Sequence, residues 1–293
     1  MARLAQYVLT GLSAGSLYAL VALGLVLVYR STRVLNFAHG DVATLGTFVA
    51  FALVSRGYPF GVAFPAALLA GALVAVVFYF GVLVPAQRQG ANLLGQVILT
   101  LGLALIVQGL IVYEWGAEPD RFPFPLSDSK TWQVGAIFIS ELSLGTFAAG
   151  LVGSALLYLL VQKTRLGLAM RATSENLPAA QTLGIPTRQV LAFAWGVASA
   201  LGVLAGIFLA PALFLDPFFM LDPFLKAFAA AVLGGLNSLP GAVVGGLLLG
   251  VAESLAGAYV AIEFKNTMAF VIIVVVLLIR PEGLLGREFK ERV

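Results

Sequence analysis

The sequence predicts an all-α, polytopic membrane protein. Of its 293 residues, 60% are hydrophobic and only 11% are charged, and the mean hydropathy is +1.01. Water-soluble domains carry about 25% charged residues. Charge-free runs of about 20 residues, the length that crosses the hydrocarbon core of a bilayer, also recur along the chain. We therefore expect a single transmembrane domain, residues 1–293, with eight or nine transmembrane helices, some of them short or discontinuous.

Apolar segments follow one another along the whole chain. The apolar segment 34–55 is short and begins with polar residues, and the segment 267–280 is also short. The segment 224–262 is interrupted by the stretch GGLNSLPG at 234–241. Glycine and proline in this stretch predict a break in the helix. The uninterrupted charge-free runs are Leu4–Tyr29, Gly57–Gln87, Gln89–Tyr113, Leu142–Gln162 and Gln189–Leu215.

The distribution of lysine and arginine predicts the orientation, because these residues collect in short cytoplasmic loops. When the loop 163–188 is placed in the cytoplasm, eleven of the seventeen basic residues lie on that side, and the C-terminus is cytoplasmic. The acidic, proline-containing loop 114–141 then falls outside, as an irregular exposed segment. The cytoplasmic basic residues are Arg30, Arg33, Arg88, Lys163, Arg165, Arg171, Arg188, Arg280, Arg287, Lys290 and Arg292.

Small residues recur at helical spacing in several spans, which lets helix backbones approach closely in lipid. The predicted packing positions are Gly11, Gly15, Ala19, Ala198, Gly202, Gly206, Gly241 and Gly245.

Several kinds of site are excluded by composition. The chain has no cysteine and one histidine, so disulfides and thiolate or multi-histidine metal sites are not expected. The net charge of +3 gives no reason to expect nucleic acid as a partner. No G-x-x-x-x-G-K-[ST] phosphate loop occurs, so any ATP must be bound by another chain.

A short helix over 177–183 is predicted in the polar passage RATSENLPAAQTLGIP, residues 171–186. Ser174 or Asn176 can cap its N-terminus, and Glu175 lies where the helix dipole favours an anion. Such a helix is too short to be stable alone in water, so it needs a surface to pack against.

Further residues mark both ends of this helix. Pro178 fits only the first turn, Gly184 supplies a left-handed turn, and Pro186 blocks continuation. From the residues alone, the segment is either an ordinary loop helix resting on the membrane face or a docking element. The side chains expected to be exposed are Ala179, Ala180 and Leu183.

Polar residues within apolar spans form a second group of candidates. Asn36 is predicted to cap a helix that carries His39 and Asp41 in its first turns. This is either a helix start near the interface or a helix end that lines a pathway. Glu253 lies near the middle of a span, where a carboxylate is costly and needs a partner. Lys226 is expected to be an interfacial, snorkelling residue.

The segment Pro178–Gly184, PAAQTLG, resembles the EAA motif of ABC importer permeases, in which a short coupling helix enters a cleft on the ATPase subunit. Pro178 stands where the motif has glutamate, so the resemblance implies docking through shape and apolar contact. The docking residues that it implies are Arg171, Glu175, Pro178, Ala179, Ala180, Leu183 and Gly184.

Five further segments extend the resemblance over nearly the whole chain, and together they resemble the branched-chain amino-acid ABC permease family of the LivH type. They are Gly15–Leu25, Asn36–Asp41, Thr164–Ala172, Gly234–Ala242 and Arg280–Gly286.

The resemblance implies an import permease of a bacterial or archaeal cytoplasmic membrane. Its implied partners are a second related permease, two cytoplasmic ATPases that use ATP and Mg²⁺, and an extracytoplasmic solute-binding protein. This chain itself would bind no cofactor. Helix ends at a Gly/Pro break are typical places for transporters to meet a charged substrate. The candidate pathway or gate residues are Asn36, His39, Asp41, Gly234, Gly235, Asn237 and Glu253.

The residues are also compatible with other functions. Gly11–Gly15 matches the G-x-S-x-G pattern of hydrolases, but Ser13 lies in an apolar span instead of a strand-turn-helix elbow. An ion-coupled secondary transporter would usually place several ionisable residues in the membrane, whereas only Asp41 and Glu253 qualify. Urea, amides and other small polar solutes remain alternative substrates.

Overall fold

The structure, a computed structural model, describes residues 2–135, 137–261, 264–280 and 282–286. Arg287, Lys290 and Arg292, three of the residues used to predict the orientation, lie outside this part of the chain. Most of the described residues are helical, which confirms the predicted all-α class.

The helices follow the predicted apolar segments. A π-helical segment, Tyr79–Leu83, continues α3 into α4. In chain order the helices are α1 (Ala2–Thr32), α2 (His39–Ser55), α3 (Phe60–Phe78), α4 (Val84–Arg88), α5 (Leu93–Trp115), α6 (Glu141–Lys163), α7 (Arg165–Glu175), α8 (Leu177–Thr182), α9 (Thr187–Leu209), α10 (Leu221–Gly234), α11 (Leu239–Tyr259) and α12 (Phe264–Ile279).

Six helices in the described part of the chain are long and apolar enough to cross a membrane. Shorter apolar helices lie at His39–Ser55 and Phe270–Ile279, so the predicted eight or nine crossings, some of them short, agree with the structure. The break at 234–241 is also confirmed, because α10 ends at Gly234 and α11 begins at Leu239. The predicted run to Leu215 was too long, since α9 ends at Leu209.

A β-hairpin in the loop 114–141 was not predicted. Strands β1 (Thr131–Val134) and β2 (Ile137–Ser140) pair antiparallel, with Trp132 opposite Ile139. The side-chain amide of Gln6 completes the hairpin, because its Nε2 donates to the Phe138 carbonyl at 2.8 Å and its Oε1 accepts the Phe138 N–H at 2.9 Å. A side chain of α1 therefore pairs with β2 as a neighbouring strand would.

The chain divides into two compact units. Unit 1 comprises Met1–Val26, Leu126–Leu151 and Asp222–Val293, and unit 2 comprises Leu27–Pro125 and Val152–Leu221. The single permease domain inferred from the sequence stays a prediction.

Close helix packing in unit 1 depends on glycine. A Cβ added to Gly11 would lie 2.6 Å from the Cα of Val251, and one added to Gly15 would lie 2.7 Å from the carbonyl oxygen of Gly246. The backbones of α1 and α11 are therefore in direct contact, as the spacing of small residues predicted.

Unit 2 is built around α2, α3 and α9, which pack against one another. Trp195 of α9 is completely buried and lies against the rings of Phe78 and Tyr79. Gly202 and Gly206 of the same helix allow α2 to approach closely, as predicted.

Candidate functional site

The loop between α6 and α9 contains two helices instead of the single one predicted. The first, α7, begins after Thr164, whose hydroxyl accepts the Gly167 N–H at 3.0 Å. Gly167 packs against the last turns of α6, where a Cβ would overlap the carbonyl of Leu160. Arg171 donates to Oε1 of Gln162 at 3.0 Å. These contacts fix α7 to the end of α6.

The second helix, α8, is the predicted short helix, and Asn176 is its N-cap. The Asn176 side-chain oxygen accepts the Ala179 N–H at 3.0 Å, and Pro178 occupies the first turn. Glu175 precedes this cap and is the last residue of α7. Of the two capping residues considered, Ser174 instead donates to the Arg171 carbonyl at 2.9 Å.

The C-terminus of α8 ends in a Schellman motif. Gly184 has a φ of +79°, and its N–H donates to the Gln181 carbonyl at 3.0 Å, while the Ile185 N–H donates to the Ala180 carbonyl at 3.1 Å. A left-handed residue at this position favours glycine. Both ends of α8 are therefore held by local hydrogen bonds.

An exposed apolar surface results, which we call the α8 face. Leu183 is 80% exposed, and Leu177, Pro178, Ala179 and Gly184 are also exposed. The expected exposure of Ala180 was wrong, because this side chain is only 2% exposed and helps to seat α8 on its own unit. Ala180 supports the face instead of contributing to it.

Asn36 does not cap α2 as predicted. Its side chain accepts the Ala38 N–H at 3.1 Å, closing a turn before the helix, while Ala38 is the N-cap without a side-chain hydrogen bond. His39, the first residue of α2, is completely buried and lies against Gly202 of α9. This end of α2 is thus enclosed within unit 2.

Asp41 has a partner that was not predicted. Gln108 of α5 donates to its Oδ1 at 2.7 Å. Asp41 is only half-buried, and it lies in the first turn of α2, where the helix dipole favours a carboxylate. Asp41 of α2 and Gln108 of α5 therefore form a hydrogen-bonded pair between the two helices.

The Gly/Pro break at 234–241 is packed against residues that follow α12. Gly235 has a φ of +103°, and a Cβ there would lie 2.7 Å from Gly286. The Leu284 and Leu285 N–H groups donate to the carbonyls of Leu233 and Gly234 at 2.8 and 3.0 Å. The last turn of α10 is closed by these contacts, whereas Asn237 remains partly exposed.

Glu253 is buried and ion-paired. Its Oε1 lies 2.7 Å from Nζ of Lys226 on α10. The predicted snorkelling of Lys226 was wrong, because the residue is only 5% exposed. Lys226 also forms an ion pair with Asp222 at 2.8 Å, and only this second pair could have been predicted from sequence, from its i,i+4 spacing.

Comparison with known proteins decides the family. The sequence profile of the family described as branched-chain amino acid transport system / permease component matches residues 7–278. The chain belongs to this permease family. It is accordingly a multi-pass membrane protein and a transporter component, as the sequence motifs predicted.

Relatives of this permease match over nearly the whole chain. The high-affinity branched-chain amino acid transport system permease protein LivH of Escherichia coli strain K12 is 33% identical over 301 residues, covering 98% of this chain and 97% of LivH. BraD of Pseudomonas aeruginosa, which bears the same description, is 32% identical over 299 residues, with 98% and 97% covered.

A solved ABC transporter in an inward-facing conformation, described as of metal-chelate type, has a TM-score of 0.49 and 19% identity. The match covers 94% of the permease and 86% of that chain.

Ser13, another polar candidate in the permease, has a hydrogen-bond partner on α6. Ser13, the serine of the hydrolase-like pattern, lies in the middle of α1 and donates to the Ser143 carbonyl at 3.0 Å. It therefore lacks the strand-turn-helix setting of a nucleophile elbow. Within the described residues, no group of three or more His, Asp or Glu side chains could hold a metal ion.

Proposed function

We propose that this chain is the membrane-spanning permease subunit of an ABC importer that moves branched-chain amino acids across a bacterial or archaeal cytoplasmic membrane. A second related permease, two cytoplasmic ATPases and an extracytoplasmic solute-binding protein complete the importer. The ATPases bind ATP and Mg²⁺, because this chain has no phosphate loop. The near full-length similarity to LivH and BraD supports the substrate class.

The exposed α8 face is the observation that supports the proposed docking of the ATPases. A six-residue helix is not stable in isolation, yet α8 is capped at both ends and presents Leu183 to solvent at 80% exposure. Fully burying a leucine stabilises an interface by about 1.5–3 kcal/mol. The ATPases dock here mainly through apolar contact, with Glu175 and Arg171 at the edge of the face.

The orientation is part of the proposal. The loop that carries α7 and α8, residues 163–188, and the C-terminus lie in the cytoplasm, whereas the β-hairpin and the rest of loop 114–141 lie outside. The excess of lysine and arginine in the loops on one side supports this assignment.

The test compares Leu183→Asp with Leu213→Asp, a matched change at an exposed leucine between α9 and α10. Each variant is co-expressed with the partner permease and tagged ATPases, and the complex is isolated through the tag. We expect Leu183→Asp to reduce co-purification and ATP-driven leucine uptake at least ten-fold, a factor that corresponds to about 1.4 kcal/mol, while Leu213→Asp retains both. Leucine uptake by this chain alone, driven by an ion gradient, would contradict the proposal.

A further inference from the structure

A cluster of three charges lies within unit 1. Nζ of Lys226 is 2.7 Å from Oε1 of Glu253 and 2.8 Å from Oδ2 of Asp222. The Lys226 and Glu253 side chains are 7% and 10% exposed, whereas the Asp222 side chain is 52% exposed. The cluster therefore has one buried carboxylate, one accessible carboxylate and a buried ammonium group between them.

Three helices contribute to the surroundings of this cluster. Nζ of Lys226 lies 5.8 Å from the centre of the Tyr18 ring of α1, and the Tyr18 phenol lies beside Glu253. Gly245 of α11 packs against the backbone of α10 at Ala230, and Gly246 packs against α1 at Ala19. Glycines on α11 thus bring the charged groups and the phenol together.

The charges within the cluster do not balance. Two carboxylates share one ammonium group, which leaves a net charge of about −1 when all three groups are ionised. In addition, Oε2 of Glu253 is buried and accepts no hydrogen bond within 3.5 Å from the described residues, although the Tyr18 phenol lies close to this carboxylate. An unpaired carboxylate oxygen inside an apolar protein is costly. A ligand that brings a positive hydrogen-bond donor would remove that cost.

We infer that this cluster binds the zwitterionic head group of the transported amino acid, an inference that rests on the proposed function. The ammonium group of the amino acid lies against Glu253 and Asp222 and donates to the unpartnered oxygen. Lys226 turns its flexible side chain so that Nζ faces the carboxylate of the amino acid. A zwitterion adds no net charge to the cluster. Its ammonium group pairs with the two carboxylates and its carboxylate pairs with Lys226, so every charged group has an opposite partner. Uncharged solutes such as urea and amides lack these charges and are disfavoured.

The first experiment uses the double variant Lys226→Met/Glu253→Gln in the complete importer, reconstituted in proteoliposomes with its binding protein and MgATP. Replacing both members of a buried ion pair is often tolerated, whereas removing one leaves a buried charge. We expect normal assembly, but a loss of L-[¹⁴C]leucine uptake of about ten-fold or more, because hydrogen bonds to charged groups are among the strongest in proteins.

Ser254→Ala is the matched control. Ser254 follows Glu253 on α11 and donates to the Tyr7 carbonyl at 2.8 Å, so its replacement removes a hydrogen bond of the same helix without touching the cluster. This variant should transport at the wild-type rate. Wild-type transport by the double variant would overturn the inference and leave the ion pair with a structural role.

A second measurement needs no variant. L-[¹⁴C]leucine binding to the wild-type permease–ATPase complex, without binding protein, is competed with isopentylamine, which lacks the carboxylate, and with 4-methylpentanoate, which lacks the ammonium group. We expect unlabelled leucine to compete and both analogues to fail at equal concentration. Absence of leucine binding, or full competition by isopentylamine or by sodium chloride, would overturn the inference. Failure of the wild-type importer to accumulate leucine would instead contradict the proposed function.

Discussion

Gln108 and Asp41 join α5 to α2 through a hydrogen bond of 2.7 Å between Nε2 and Oδ1. Both residues lie in apolar helices, where a polar group without a partner is costly. The hydrogen bond from the Gln108 amide therefore reduces the free-energy cost of placing the Asp41 carboxylate in an apolar helix. It also fixes the start of α2 in unit 2.

Replacing Gln108 with leucine should lower the stability of the protein, because Asp41 would lose its donor. Losing the partner of a partly buried polar group costs about 1–3 kcal/mol. We expect a lower Tm for the detergent-purified protein, measured by thermal unfolding. Gln189→Leu, at an exposed position of α9, should leave Tm unchanged, and an equal Tm for both variants would argue against a role for the bond.

Valine at Gly184 should weaken ATPase docking while leaving membrane insertion intact. Gly184 has a φ of +79°, which a β-branched residue tolerates poorly, so the Schellman motif and the α8 face would be distorted. Gly57→Val provides the same backbone strain, at a φ of +88°, in the loop between α2 and α3. Co-purification with the ATPases should fall only for Gly184→Val, and equal co-purification of both variants would count against the coupling role.

Valine at Gly246 should separate α1 from α11. A Cβ at this position would lie 2.5 Å from the backbone nitrogen of Ala19, and overpacking of this kind costs about 1–3 kcal/mol. Gly109→Val on α5 is the control, because a Cβ there meets no atom within 4 Å. Size-exclusion profiles and Tm should change for Gly246→Val alone. Unaltered profiles for this variant would show that the two backbones can move apart freely.

Alanine at Ser13 should leave leucine uptake intact. The hydroxyl donates to the Ser143 carbonyl at 3.0 Å, so its loss should cost about 0.5–1.5 kcal/mol of stability, the usual contribution of a neutral hydrogen bond. Uptake and assembly are measured together in the reconstituted importer. Lost uptake with normal assembly would revive the hydrolase interpretation of the G-x-S-x-G pattern.

The helical architecture was predictable because the bilayer imposes it on the sequence. Charge-free runs located α1, α5, α6 and α9 to within a few residues at most ends, and the Gly/Pro stretch located the break between α10 and α11. The β-hairpin was missed because its strands are only four residues long and lie in a loop rich in proline. Helix α7 was missed because its apolar residues do not form a long run.

The features of the candidate site could be predicted only where interactions between residues close together in the sequence determine them. Asn176 and Gly184 mark the ends of α8 through hydrogen bonds within a few residues, so the sequence was sufficient. The partners of Asp41 and Glu253 lie 67 and 27 positions away along the chain. Such pairs depend on how helices pack, and hydropathy gives no information on helix rotation. The burial of Ala180 was missed for the same reason.

The closure of α10 by Leu284 and Leu285 has a consequence for biosynthesis. The last carbonyls of α10 obtain their hydrogen-bond donors from residues that the ribosome adds only after α11 and α12. A nascent chain that stops after α11 would therefore expose two unsatisfied peptide groups at the turn next to Gly235. The hydrogen-bonded closure of α10 therefore forms only after α12 and the residues that follow it have been synthesised.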